Sequence, residues 1–208
     1  MQSFESLSVF FATSLLLGVT PGPDNLFVLA QAAQRGKFAG IVVTLGLSTG
    51  ILFHTLAVAL GAAALFSTSA LAFNVLKYVG AAYLLYLAYQ SWQASGESSQ
   101  QVRVSGVSWR RLYGRGIVMN ITNPKISIFF LAFLPQFTDP ASGPLLPQFL
   151  LLGVLFVLST FLVFGGISFL AGWIGTFLRS SQRPERILNR VAGVVFLSLA
   201  AKLAFTER

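Results

Sequence analysis

Asp24 is the one acidic residue well inside an apolar stretch of this chain, and Lys125 is the one basic residue near the middle of another. Each stands at a break: Thr20-Pro21-Gly22-Pro23-Asp24-Asn25 in the first case, Asn123-Pro124-Lys125 in the second. Proline inside a helix removes a backbone donor and clashes with the preceding turn, at about 3 kcal/mol. Carbonyls freed near positions 17 to 20 are tolerated in hydrocarbon only against protein or a water-filled cavity. A charge at mid-bilayer costs at least ~2.5 to 3.5 kcal/mol. Two such charges of opposite sign predict a pair, acting either as a gate read by ion and substrate or as a static bridge that fixes packing. His54 is the single histidine, on a helix face with Leu47, Gly50, Ala57 and Gly61. It is a candidate proton-coupling residue; the alternative is a neutral histidine hydrogen-bonded between helices. Thr20, Asn25, Gln31, Asn120, Thr122 and Asn123 add polar groups near the breaks, for substrate or for helix–helix bonding.

Other chemistry is not expected. Gly46-Leu47-Ser48-Thr49-Gly50 satisfies the G-x-S-x-G pattern, but that motif needs a strand-to-helix elbow and this segment reads as mid-helix. His54 lies six residues on, about 240° around the helix, so an intramembrane serine protease lacks its base. No phosphate loop, zinc motif or dinucleotide fingerprint occurs. With no Cys and one His, neither metal nor cofactor is expected, and the chain does not read as an enzyme.

These residues must be positioned by elements that live in lipid. Of 208 residues, 55% are hydrophobic and 10% charged, against about 25% charged in soluble domains; mean hydropathy is +0.75. This excludes a disulfide-built secreted domain, a disordered chain and most soluble enzymes. The net charge of +8 sits in short gaps between apolar runs, not on a solvated face, so nucleic acid is not an expected partner. Six stretches are long enough to span a bilayer: Leu7–Gln34, Phe38–Phe66, Leu71–Trp92, Leu112–Leu134, Gln148–Leu178 and Ile187–Phe205, the first and fourth broken. The amino-terminal apolar run lacks a basic flank and a small-residue cleavage site, and reads as a retained helix.

Arg35 and Lys37 follow the first stretch; Arg103, Arg110, Arg111 and Arg115 the third; Arg179, Arg183, Arg186 and Arg190 the fifth. Ser67–Ala70 and Pro135–Pro147 carry no Lys or Arg. The positive-inside rule then places the odd loops in the cytoplasm and both termini outside, with Trp92 and Trp109 at the interface. The Ser/Gly-rich segment 93–108 reads as a linker joining half-repeats 1–92 and 109–208 within one transmembrane domain. The broken spans correspond, Pro23 to Pro124 and Asp24 to Lys125. The run Lys77-Tyr78-Val79-Gly80-Ala81-Ala82-Tyr83-Leu84 corresponds to Arg190-Val191-Ala192-Gly193-Val194-Val195-Phe196-Leu197. Three spans per half require opposite insertion, so the expected fold is an all-α membrane protein of six helices in a 3+3 inverted repeat, a transporter architecture.

Those two breaks, with Arg35-Gly36-Lys37, Tyr78–Leu87 and Val191–Phe196, resemble the LysE/RhtB family of bacterial amino-acid exporters over nearly the whole chain. The resemblance implies export of amino acids or related metabolites across the bacterial cytoplasmic membrane, in exchange for protons. The expected central site is Thr20, Pro21, Gly22, Pro23, Asp24 and Asn25 with Asn123, Pro124 and Lys125; Asp24 and His54 are the proton-coupling candidates. Rival readings are a metal-cation or other solute carrier on the same architecture, and a membrane assembly factor without transport. The substrate's identity and self-association into a homo-oligomer stay open.

Overall fold

The structure, a computed structural model, describes residues 3–20, 22–68 and 108–180, with scattered helical positions between 78 and 93 and between 190 and 204. Six α-helices are described throughout their length: α1 (Phe4–Val19), α2 (Pro23–Arg35), α3 (Lys37–Thr68), α4 (Trp109–Ile121), α5 (Pro124–Ile128) and α6 (Leu145–Ser180). A π-helical turn (Phe129–Phe133) and a 3-10 turn (Leu134–Phe137) continue α5. The expected first span is thus α1 plus α2, bent by 63°, and the expected fourth is α4 plus the segment 124–137, bent by 51°. Within α3 and α6, residues 37–61 and 145–171 are unbroken and apolar enough to cross a bilayer alone. The expected third and sixth spans, the linker, and Pro21 fall largely or wholly outside the described residues.

Local chemistry sets these boundaries. Ser3 caps α1 by accepting from the Ser6 N–H, and proline opens both α2 and α5, where a missing N–H is harmless. Gly36, at φ 87°, closes α2 in a conformation that side chains rarely adopt and turns the chain directly into α3. In the loop before α6, Asp139 accepts from the Ser142 hydroxyl (2.7 Å) and the Ala141 N–H (2.9 Å). Those two bonds hold its carboxyl below the usual carboxylate range.

Exposure is inverted relative to a water-soluble bundle. Leu45, Leu52, Phe53, Leu56 and Leu60 form an exposed apolar stripe on α3, and Leu146, Leu150, Val154, Leu158 and Leu162 form another on α6. Thr13, Ser14, Asp24, Gln31, Thr44, Thr55, Asn120, Asn123 and Ser159 are buried. Apolar stripes at helical spacing meet lipid, and polar side chains face the protein interior. On one side of the breaks, Phe10, Phe129, Phe130, Phe133, Phe137 and Phe156 form a continuous aromatic core, neighbouring rings standing 4.7–6.4 Å apart.

Glycine contacts give the helix directions. On Gly46 a Cβ would lie 3.0 Å from Gly116, and on Gly50 it would lie 2.6 Å from Asn120, so α3 and α4 run parallel. Gly40 meets Ser168 and Thr55 meets Gly153, so α3 and α6 run antiparallel. The tight turn at Gly36 reverses α2 against α3. The two broken spans therefore point in opposite directions, as an inverted repeat requires. Arg35 lies over Trp109 (5.6 Å) and Lys37 over Phe169 (4.9 Å), which puts the turn after α2, the start of α4 and the Phe169 level of α6 on one basic, aromatic-lined side.

The α3–α4 crossing depends on backbone contact. Gly46→Ala would place a methyl 2.2 Å from the Tyr113 carbonyl oxygen and should destabilise the fold by about 1–3 kcal/mol or more. Gly165→Ala, whose methyl meets nothing within 4 Å, should be neutral or stabilising. Thermal unfolding of both variants in detergent checks the contrast.

Candidate functional site

The site is built where the broken spans cross. Pro21 and Pro23 have no N–H, so the carbonyls of Leu17 and Val19 lose their helical donors. Gly22 is extended (φ −173°, ψ 177°), which also takes the chain out of reach of the Gly18 and Thr20 carbonyls. Replacements come from elsewhere. Lys125 Nζ donates to Leu17 O and Thr20 O, both at 3.3 Å, and Asn25 Nδ2 donates to Gly18 O at 2.7 Å. Thr20 Oγ1 turns back onto Leu16 O. Gly22 lets the ammonium approach, since a Cβ there would lie 3.3 Å from Nζ.

The second break is treated in the same way. Pro124 cannot donate to Asn120 O; His54 Nε2 does so from α3 at 3.2 Å, alongside the Asn123 N–H at 3.1 Å. A carbonyl only accepts, so Nε2 carries the proton. The His54 ring also stands 5.7 Å from that of Phe130. Asn123 caps α5, its Oδ1 accepting from the Lys125 N–H at 3.0 Å. Its Nδ2 crosses to the other break and donates to Asp24 Oδ2 at 2.8 Å.

The structure thus brings Thr20, Gly22, Asp24, Asn25, Asn123 and Lys125 together, and it shows through which atoms each charge is held. Asp24 and Lys125 attract one another, but the carboxylate's hydrogen bond comes from Asn123 and the ammonium's partners are carbonyls. The physical reason is that the break exposes two converging carbonyl oxygens, which hold the ammonium, while Asn123 occupies one oxygen of the carboxylate. Pro23 and Pro124 are exposed and shape the backbone rather than line the contact. His54 is joined to the site only through Asn120. Its helix face is buried at Leu47 and Gly50 but exposed at Ala57 and Gly61, so it packs along half the length expected. Ser48 has no hydrogen-bond partner for its hydroxyl, and His54 is engaged on Asn120.

Several buried polar atoms have no partner: Asp24 Oδ1, Asn25 Oδ1, Gln31 Oε1 and Nε2, Arg35 Nη1, Ser48 Oγ and Asn120 Oδ1. Four of these residues lie on α2. Asp24, Gln31 and Arg35 are spaced by seven and four, one stripe of that helix; the spacing was available in the sequence, but the burial of Gln31 was not. Among the described residues no three His, Cys, Asp or Glu side chains converge on a point that could hold a metal.

Apolar exterior, polar interior and two crossed, broken spans define a multi-pass membrane transporter. The family described as LysE type translocator matches residues 15–207. The chain is similar to the homoserine/homoserine lactone efflux protein of Salmonella typhimurium, at 35% identity over 98% of both chains. It is similar to an uncharacterized membrane protein of Vibrio cholerae, at 31% over 94% of both. It also resembles the leucine efflux protein of Salmonella typhimurium, at 28% over 94% of this chain and 92% of that one. No solved structure matches. The chain belongs to the LysE type translocator family, and its work is transport rather than catalysis.

Asn123→Leu removes both the cap of α5 and the donor to a buried carboxylate, and should cost about 2–4 kcal/mol. In an Asp24→Ala background, which leaves Asn123 Nδ2 no acceptor at position 24, the loss should shrink toward the cap alone, about 1 kcal/mol. A double-mutant cycle by unfolding in detergent measures the difference, and additive losses would contradict the Asn123–Asp24 contact.

Proposed function

We propose that this protein exports amino acids or closely related small metabolites across a bacterial cytoplasmic membrane, by alternating access and in exchange for protons. The observation that carries the reading is Asp24: buried at the crossing of the broken spans, with one oxygen held by Asn123 and the other without a partner. The relatives' names supply the substrate class. Homoserine, its lactone and leucine differ in side chain, and the lactone has no free carboxylate; the α-ammonium is common to all three. Asp24 Oδ1 is the acceptor for that ammonium, or for the coupling proton when substrate is absent. Lys125, with two of its three N–H groups on carbonyls, and the free donors at the start of α2 offer a substrate carboxylate its place. Thr20, Pro21, Gly22, Pro23, Asn25, Asn123 and Pro124 hold these groups at the break.

His54 is the second candidate for the proton, its hydrogen bond to Asn120 O tying protonation to the shape of the second break. The basic side that carries Arg35, Lys37 and Trp109 is the cytoplasmic one, with both termini outside. Half-repeats 1–92 and 109–208, joined by the linker 93–108, rock against one another about the crossed breaks.

Cells preloaded with a labelled amino-acid panel should release homoserine- or leucine-like substrates in a gene-dependent manner, and an uncoupler should slow release. Asp24→Asn keeps an acceptor for Asn123 and should insert normally yet lose export by at least tenfold. Normal export after exchanging Asp24 and Lys125 would show that neither charge is read. Release of metal ions but no amino acid would support the cation carrier, and no gene-dependent release of any kind the assembly factor.

A further inference from the structure

With the substrate's ammonium at Asp24, its side chain must lie somewhere along the interior. On α2, residues 24, 28, 31 and 35 fall within about 60° of one another around the axis, and Asp24, Val28 and Gln31 are all buried. Gln31 is 0% exposed, and neither its Oε1 nor its Nε2 has a hydrogen-bond partner. A buried primary amide left in this way is costly, and each such group calls for an explanation. Two buried hydroxyls at this level of the bundle do not supply one. Thr44 donates to Gly40 O on its own helix and Ser168 to Phe164 O on its own, while Gly40 packs on Ala32 and Ser168.

Seven residues of helix separate Asp24 from Gln31 by about 10 Å along the axis. Both side chains lean toward the N-terminus, and an extended four-carbon amino acid with a hydrogen bond of about 2.8–3.0 Å at each end spans a gap of that order. Val28, between them on the stripe, is fully buried in an apolar cluster with Val43, Leu47 and Phe164, so the stretch between the two polar groups is apolar. The sequence of groups is therefore carboxylate, apolar stretch, amide. That order complements an ammonium, a short aliphatic stem and a terminal oxygen.

We propose that Gln31 is a specificity-determining residue whose amide binds the oxygen-bearing end of the substrate's side chain. It favours short amino acids ending in a hydroxyl, or their cyclic esters, over aliphatic ones of the same size. The amide both donates and accepts, as a hydroxyl does, and Nε2 alone serves a lactone oxygen. An aliphatic side chain would leave the amide unpaired in the interior, which is the kind of mismatch that discriminates most strongly. This rests on the amino-acid export proposed above.

The experiment is competitive efflux of labelled homoserine and labelled norvaline, a matched pair of hydroxylated and aliphatic side chains, from cells carrying the wild-type protein or Gln31→Leu. Wild type should favour homoserine by roughly 10- to 100-fold, and Gln31→Leu should bring the ratio to one or below while norvaline release is kept or raised. A second measurement does not depend on the variant: homoserine should protect purified wild-type protein against thermal unfolding at lower concentration than norvaline. Equal preference by the wild-type protein, or an unchanged ratio in Gln31→Leu, overturns the role of Gln31 and leaves amino-acid export standing. Release of neither compound, nor of any other amino acid, removes the export reading and the subsite with it.

Discussion

A backbone carbonyl in the bilayer interior must find a donor, and four prolines and glycines in this chain take donors away. The architecture of the site follows from where replacements come from. Lys125, at the second break, serves Leu17 and Thr20 at the first; His54, on the unbroken helix alongside, serves Asn120 at the second. Asn123 then ties the second break to Asp24. Each break is completed by a side chain from another element, so neither holds its shape unless the helices are assembled around it. Isolated, either broken span would expose unpaired main chain to lipid.

That mutual dependence suits a transporter. Rigid contact is concentrated at the α3–α4 crossing, where Gly46 and Gly116 bring the backbones together, and in the phenylalanine core beyond the breaks. Between these lie long side chains: a lysine on two carbonyls, an asparagine on a carboxylate, a histidine on one carbonyl. Such contacts are directional and exchangeable, and under the proposed function a substrate's ammonium or carboxylate would compete for them directly. The unpaired Asp24 Oδ1 and Gln31 amide mark where the interior is under-satisfied.

The broken spans were legible in the sequence because proline's missing N–H is a local fact, independent of neighbours. So was the lipid setting, which needs only composition and the spacing of apolar runs, and the nearness of Asp24 and Lys125, since two lone opposite charges in hydrocarbon have little choice. The partner of each charge was not legible. Whether an ammonium sits on a carboxylate or on a pair of carbonyls depends on distances of a few ångströms set by the 63° and 51° bends, which no one-dimensional pattern records. The same limit applies to His54. Its helix and position could be read, but its contact with Asn120 O arises from the parallel docking of α4 on α3. Gln31 stands in the same register as Asp24, yet only the packing of α2 against α3 and α6 shows that it is sealed from solvent.

The central claim is that Lys125 of one break caps the other. Magic-angle-spinning NMR on protein in bilayers, labelled with 15N at lysine Nζ and 13C at threonine carbonyls, measures this through the dipolar coupling of Lys125 to Thr20. Strong dephasing at contact distance in wild type, abolished by Lys125→Met, is the expected result. Absence of that coupling in correctly folded wild-type protein would mean that Lys125 does not cap the first break, and the account of the site would fall.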